Sequence, residues 1–189
     1  MNLTMNLTMD LTSDLASVTA SGRGATDRLL DAVVTRLARD GVRMAGALRA
    51  PAKAPGNGQC DSDLWLLPDG PVARITQALG PGSAACRMDS GALEEAAGLA
   101  TARLIRNGAD LVVLNKFGLS EADGRGFRAL IAEAIGLGVP VLIGVSDTYR
   151  AAFDWFSAGL ATALPPEEAA ILTWCRSAID RNAEETEEA

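Results

Sequence analysis

Between Asp110 and Asp147 the chain reads DLVVLNKFGLSEADGRGFRALIAEAIGLGVPVLIGVSD, and the spacing of its apolar positions changes twice. Residues 111–114 are an unbroken apolar run, the pattern of a strand buried on both faces. Asn115-Lys116-Phe117-Gly118 reads as the turn that ends it. Over residues 121–137, Phe127, Leu130, Ile131, Ala134 and Ile135 recur at three- and four-residue steps, which predicts one apolar helical face. Gly136 and Gly138 close that helix, and residues 139–145 form a second buried strand. Two strands joined by a helix make a right-handed βαβ unit with a parallel sheet. Ligands of such sheets sit beyond the carboxyl ends of the strands, which here carry Asn115, Lys116, Ser146 and Asp147.

The same periods organise the rest. Residues 15–20 read as a first strand, Ser21-Gly22-Arg23-Gly24-Ala25-Thr26-Asp27 as a glycine loop, and residues up to 40 as a helix with Leu29, Leu30, Val33, Val34 and Leu37 on its buried stripe. A strand follows at 42–48. The Pro68-Asp69-Gly70-Pro71 turn centres a β-hairpin. A helix is expected over 91–107, with Leu93, Ala97, Ala100, Leu104 and Ile105 inward. Another is expected over 149–159, carrying Phe153, Trp155 and Phe156, and a last one over 167–179, after Pro165-Pro166. The repeating MNLTMNLTMDLTSD of residues 1–14 reads as a flexible leader and residues 183–189 as an acidic tail. Residues 15–182 are thus expected to form a single three-layer α/β domain with a mainly parallel sheet and an inserted β-hairpin.

Composition narrows the function. With 189 residues and 48% apolar content the chain is long enough for a sizeable core. Of the net charge of −7, four units come from Glu184, Glu185, Glu187 and Glu188, so the body is only mildly acidic. No cluster of Lys and Arg forms a nucleic-acid footprint. No apolar run reaches membrane-spanning length, and no basic-then-apolar leader marks a signal peptide. A cytoplasmic protein is the expectation. The chain has no histidine, which excludes a Ser-His-Asp triad, imidazole bases and His-ligated zinc. Three scattered cysteines do not make a disulfide framework.

The loop at 21–27 sits between strand and helix, the context of a phosphate-binding loop. Glycines let backbone N–H groups turn toward an anion, and the helix N-terminus adds partial positive charge. The loop is degenerate. The Lys of a working phosphate loop is missing, Arg23 is its only cation, and Asp27 opposes a phosphate. Thr26 stands near the place of a Mg²⁺-binding hydroxyl. The plainer reading is a glycine turn with Thr26 or Ser21 as helix N-cap. Cys60 and Cys86, each close to acidic residues, are weak metal candidates, with small buried residues as the plainer reading. Arg125 and Arg128, one helical turn apart, read as sharing a helical face. Arg125 there either meets an oxyanion or pairs in solvent with Glu133.

Asn115-Lys116-Phe117-Gly118, Glu121, Gly124-Arg125-Gly126-Phe127-Arg128, Gly138-Val139-Pro140-Val141-Leu142 and Cys86-Arg87-Met88-Asp89 resemble a bacterial family of unknown function. That family is similar to P-loop nucleoside triphosphatases of the small thermophile type, and its members often lie near molybdate-transport or nitrogenase genes. The resemblance spans about residues 15–165 and implies a P-loop NTPase-like fold. It sets Gly22 to Thr26 where relatives carry the phosphate loop, and Asn115 and Lys116 where NTPases carry their Mg²⁺-supporting acid. Neutral Asn115 cannot replace that acid, and Glu121 is either the alternative acid from the turn or the cap of its helix. Asn115-Lys116 also resembles the Asn-Lys-x-Asp motif of GTPases, but position 118 is Gly and the match fails. The expected function is a nucleotide- or phosphate-binding accessory protein with little or no hydrolysis, its ligand a small anion such as a Mg²⁺-nucleotide. The anion would be held by Ser21, Gly22, Arg23, Gly24, Thr26, Asn115, Lys116, Glu121 and Arg125. Two alternatives stand beside it: a molybdate- or tungstate-binding protein of molybdenum metabolism, and a structural homo-oligomeric partner using apolar surface at Trp65, Trp155 and Phe156.

Overall fold

The computed structural model describes residues 13–51, 63–78 and 86–187. In chain order the elements are β1 (Leu15–Val18), α1 (Ala25–Arg39), β2 (Met44–Arg49), β3 (Leu64–Leu66), β4 (Val72–Ala73), β5 (Thr76–Ala78) and β6 (Cys86–Met88). They continue with α2 (Ser90–Asn107), β7 (Leu111–Phe117), α3 (Leu119–Ala122), α4 (Arg128–Gly136), β8 (Val141–Val145), α5 (Arg150–Phe156), β9 (Thr162–Leu164) and α6 (Glu168–Glu187). Seven strands form one sheet in the order β4-β3-β2-β7-β8-β1-β9, and β5 and β6 form a separate two-stranded ribbon. Strands β2, β7, β8, β1 and β9 run parallel. The hairpin β3–β4 adds the antiparallel edge. The protein is α/β with a mostly parallel sheet, as the apolar runs predict.

The topology follows from the handedness of crossovers. From β1 the chain moves past β8 and β7 to β2, with α1 on one face. It then returns in the opposite direction through β7, β8 and β9. Right-handed crossovers in opposite directions must lie on opposite faces. Accordingly Leu30, Val33, Val34 and Leu37 of α1, with Ile171, Trp174 and Cys175 of α6, bury one side of the sheet. Leu93, Ala97 and Leu104 of α2, Leu130 and Ile131 of α4, and Phe153 of α5 bury the other. Alternate strand residues serve the two layers: Val112 and Leu114 face one, Leu111 and Val113 the other. At the amino end of the sheet Asp110 accepts hydrogen bonds from the Arg43 backbone N–H (2.8 Å) and from the Arg43 guanidinium, joining the turns before β2 and β7. That carboxylate holds the Arg43 pKa above its usual value.

Several boundaries differ from the expectations. The helix expected over 121–137 is two helices, because Gly124 (φ 87°) and Gly126 (φ 62°) interrupt it. Arg125 therefore lies in the break, exposed beside Asp123 (3.5 Å), and does not share a helical face with Arg128. Ile105 and Ile135 are exposed rather than inward. Strand β9 precedes Pro165, where no strand was expected, and α6 runs on through the acidic residues to Glu187. The leader up to Thr12 lies outside the described residues. Among the described residues no helix is long and apolar enough to cross a membrane.

Candidate functional site

The chain leaves β1 toward the α1 face and leaves the adjacent β8 toward the α5 face. Their carboxyl ends therefore splay apart and open a crevice, the switch point at which open α/β sheets hold ligands. A cavity of about 440 Å³ occupies this position. One wall is the glycine loop (Gly22, Gly24, Thr26), the other the loop after β8 (Ser146, Asp147, Thr148), and the end of β7 closes it with Asn115 and Lys116.

The loop is held from within. Gly24 caps α1 with φ 69°, a left-handed conformation that favours glycine, and makes no side-chain cap. Thr26 and Ser21 are therefore not the N-cap. Thr26 instead lies in the first helical turn, and its Oγ1 accepts a hydrogen bond from the Ala20 N–H across the loop (3.0 Å). The Ala25 N–H donates to the Gly22 carbonyl (3.2 Å). Thr26 and Asp27, whose N–H groups have no intrahelical acceptor at a helix start, are residues that line the cavity.

Asn115 and Lys116 belong to β7 and not to a turn. Leu114 pairs with Ile143 and Phe117 with Val145, so β7 spends one more residue than β8 over this step. This is a β-bulge, which breaks the strict alternation of side chains. Both Asn115 and Lys116 consequently border the cavity, although a regular strand would turn successive residues to opposite faces.

A second cavity of about 400 Å³ adjoins the first and shares Asp27, Asn115 and Lys116 with it. It lies under β3 and the β5–β6 ribbon and has apolar walls at Leu64, Ile75, Leu93 and Phe127. Glu121 lines this cavity rather than the loop cavity. Its carboxylate is buried and accepts the N–H groups of Gly118 (2.9 Å) and Phe127 (3.1 Å).

The crevice is pinned by Arg150, which sequence reasoning passed over. Its guanidinium donates to Ser17 Oγ (3.0 Å) and Thr19 Oγ1 (2.7 Å) of the β1 end. It also pairs with Asp154 at 3.7 Å. Thr19 Oγ1 donates in turn to the Val145 carbonyl of β8. A buried Ser and a Thr at the end of a strand, across from an Arg opening the helix after the partner strand, was the signal available.

Of the residues expected to meet a ligand, the structure brings together Ser21, Gly22, Gly24, Thr26, Asn115 and Lys116, with Ser146 and Asp147 of the neighbouring strand end. Glu121 sits one cavity away, and Arg125 borders neither. Arg23 is exposed and outside the lining, its carbonyl accepting from Arg28 (3.2 Å). The cation of the loop cavity is Lys116, and Asp27 and Asp147 are its carboxylates. Asp27 is paired with Arg49 at 3.2 Å. With Asp27 engaged by Arg49 and Asn115 neutral, Asp147 is left as the cavity carboxylate outside those ion pairs. One carboxylate on the loop after β8 and none on β7 is a poor fit to a carboxylate-anchored Mg²⁺ site. Among the described residues no three His, Cys, Asp or Glu side chains cluster to hold a metal ion. Cys60 lies outside the described residues, and Cys86 lies on the ribbon strand β6.

Comparison with known proteins gives two matches. Over 155 residues, 82% of this chain, the sequence is 36% identical to the protein of Bradyrhizobium diazoefficiens named Molybdenum import ATP-binding protein ModC 2. The match covers 17% of that much longer protein. No solved structure matches the chain. The model of the family described as "Protein of unknown function (DUF2478)" matches residues 15–174, and the chain belongs to that family.

Proposed function

We propose that the protein binds a nucleotide, with its phosphates in the loop cavity and its base in the adjoining apolar cleft, and turns it over slowly or not at all. The observation that carries this reading is the position of the two adjoining cavities, which share Asp27, Asn115 and Lys116. The polar one lies where a glycine loop and a helix N-terminus meet the switch point, and the apolar one begins at the shared Asn115 and Lys116. Backbone N–H groups and Lys116 suit phosphate oxygens, and an apolar wall suits a heterocycle. The fold is read on the same grounds as P-loop NTPase-like. The partial likeness to a protein named as ATP-binding supports the same class.

Binding without efficient hydrolysis follows from the donor set. Phosphoryl transfer depends on charge stabilisation at the transferring group. Here the loop lacks its Lys, and the strand that would present a carboxylate to Mg²⁺ presents Asn115. The second reading, an oxyanion protein, draws on the molybdenum in the relative's name. A small closed site lined by arginines would favour it. The cavity has instead one Lys and two carboxylates in its lining, which oppose either anion alike, so the preference for a nucleotide rests on the adjoining cleft with its apolar walls.

The test is thermal unfolding of the full chain with ATP and GTP, each with and without Mg²⁺, and with phosphate, molybdate and tungstate. A ligand that binds only the folded state, present at about 100 times its Kd, adds roughly 2.7 kcal/mol and raises Tm. Stabilisation by nucleotide but not by molybdate is the expected result. Stabilisation by molybdate or tungstate alone replaces the reading with oxyanion binding. No stabilisation by any of them leaves the structural-partner alternative.

A further inference from the structure

We infer that the apolar cleft selects a guanine-type base, a flat purine with adjacent N–H donors on one edge, and that Glu121 reads those donors. This rests on the nucleotide reading above and specifies its ligand. Glu121 is 4% exposed yet forms part of the cleft wall. Each carboxylate oxygen already takes one backbone N–H, from Gly118 on Oε2 and Phe127 on Oε1. The carboxylate is fixed against Gly126, where a β-carbon would collide with Oε1. A carboxylate has about four lone-pair directions, so about two remain. Among the described residues no Lys or Arg comes within ion-pair distance of it.

Lys116 shares the cleft and Arg128 donates to the Glu121 backbone carbonyl (3.4 Å), but neither pairs with the carboxylate. A rigid, buried acceptor with spare capacity favours a ligand that donates. Guanine presents N1–H and the N2 amino group side by side, and an ionised carboxylate, which only accepts, satisfies both. Adenine presents one amino group beside the N1 lone pair, and that lone pair faces the carboxylate repulsively. Hypoxanthine keeps N1–H and loses the amino group, so it ranks between them. The ring faces would lie against the apolar side chains of Leu64, Ile75 and Phe127. Ser120, also buried and also in the wall, adds a hydroxyl that serves the guanine carbonyl or amino group.

The test is calorimetric titration of the full chain with GTP, ITP, ATP and inorganic triphosphate, repeated on Glu121→Gln. GTP is expected to bind tighter than ATP by about tenfold or more, the scale of one bidentate base contact, with ITP between them. Glu121→Gln is expected to bring GTP down to the ATP level. Equal affinity for GTP and ATP overturns the base assignment and leaves nucleotide binding standing. A GTP preference that survives in Glu121→Gln overturns the role of Glu121. Binding of triphosphate alone, or of nothing, overturns both the assignment and the nucleotide reading. Should Glu121→Gln fail to fold by circular dichroism, the wild-type order of GTP, ITP and ATP decides: a graded order supports the inference and a flat or reversed one sinks it.

Discussion

Gly144 on β8 faces the carbonyl of Asn115 on the bulge of β7. A β-carbon at position 144 would collide with that oxygen and come within 2.9 Å of Thr26 Cγ2. The glycine thus lets three parts of the site converge: the bulge that turns Asn115 and Lys116 to the cavity, the strand beside it and the start of α1. Neither the backbone carbonyl nor the helix start is free to swing aside. Gly144→Ala is expected to destabilise the fold by about 3 kcal/mol, the upper range of core overpacking. It should also weaken nucleotide binding by moving the bulge. Urea unfolding and titration with ATP measure the two effects. A variant as stable as wild type would remove the glycine from this account.

Arg150 joins the two strands of the crevice through Ser17 and Thr19. Ser17 is 1% exposed, so its hydroxyl has no water to turn to when the guanidinium is gone. Arg150→Met keeps much of the stem volume against Phe153 and deletes the donors. The expected cost is about 1–2 kcal/mol, the scale of a buried acceptor left unpaired. If the loss arises at that hydroxyl, Ser17→Ala should recover part of it in the double variant, and the two changes will not add. Strict additivity in denaturant unfolding would place the effect elsewhere.

Much of this arrangement is legible in the sequence because it depends on period and punctuation. The apolar runs at 111–114 and 141–145, the stripe of α1 and the Pro-Asp-Gly-Pro turn each report a local preference that the fold keeps. What escapes the sequence is non-local. The bulge at Asn115 exists through pairing with β8, and Asn-Lys-Phe-Gly taken alone reads equally well as a turn. The break at Gly124–Gly126 is written in two glycines, and the apolar stripe begins only after them, at Phe127, so a helix started at 121 runs past a signal that is present. The partner of Asp27 is Arg49, 22 positions away, and Arg150 reaches Ser17 across 133. No local spacing rule links such pairs.

Cys175 provides a stability measurement independent of any ligand. Burial between α6 and the sheet pushes its thiol up to about 12, from an ordinary value near 9.0. A raised pKa means that the folded state holds the proton where the unfolded state has lost it. The contribution is therefore complete below about pH 9, declines as pH rises, and is gone above about 12. Within that window Cys175 should steepen the fall of stability by at most about 1.4 kcal/mol per pH unit. Cys175→Ala is expected to flatten that fall. In native protein at pH 8, iodoacetamide mapped by mass spectrometry should leave Cys175 unmodified. Rapid native labelling of Cys175 would contradict the burial on which this rests.

The last expectation concerns which cation meets the phosphates. Sequence order points to Arg23, which stands inside the glycine loop, but its side chain is exposed and outside the lining of the cavity. Lys116 lines both cavities, at the junction where a nucleotide would pass from one to the other. An ammonium beside phosphate oxygens contributes through charge-assisted hydrogen bonds, worth about 1.5–3 kcal/mol each. Lys116→Ala is therefore expected to weaken ATP and GTP about tenfold or more, with little change in the Tm of the free protein because Lys116 is exposed. Arg23→Ala should shift affinity by less than about threefold, the scale of a screened surface charge. If Arg23→Ala abolishes binding and Lys116→Ala does not, the phosphates lie outside the loop cavity, over the exposed turn, and the ligand does not span the two chambers.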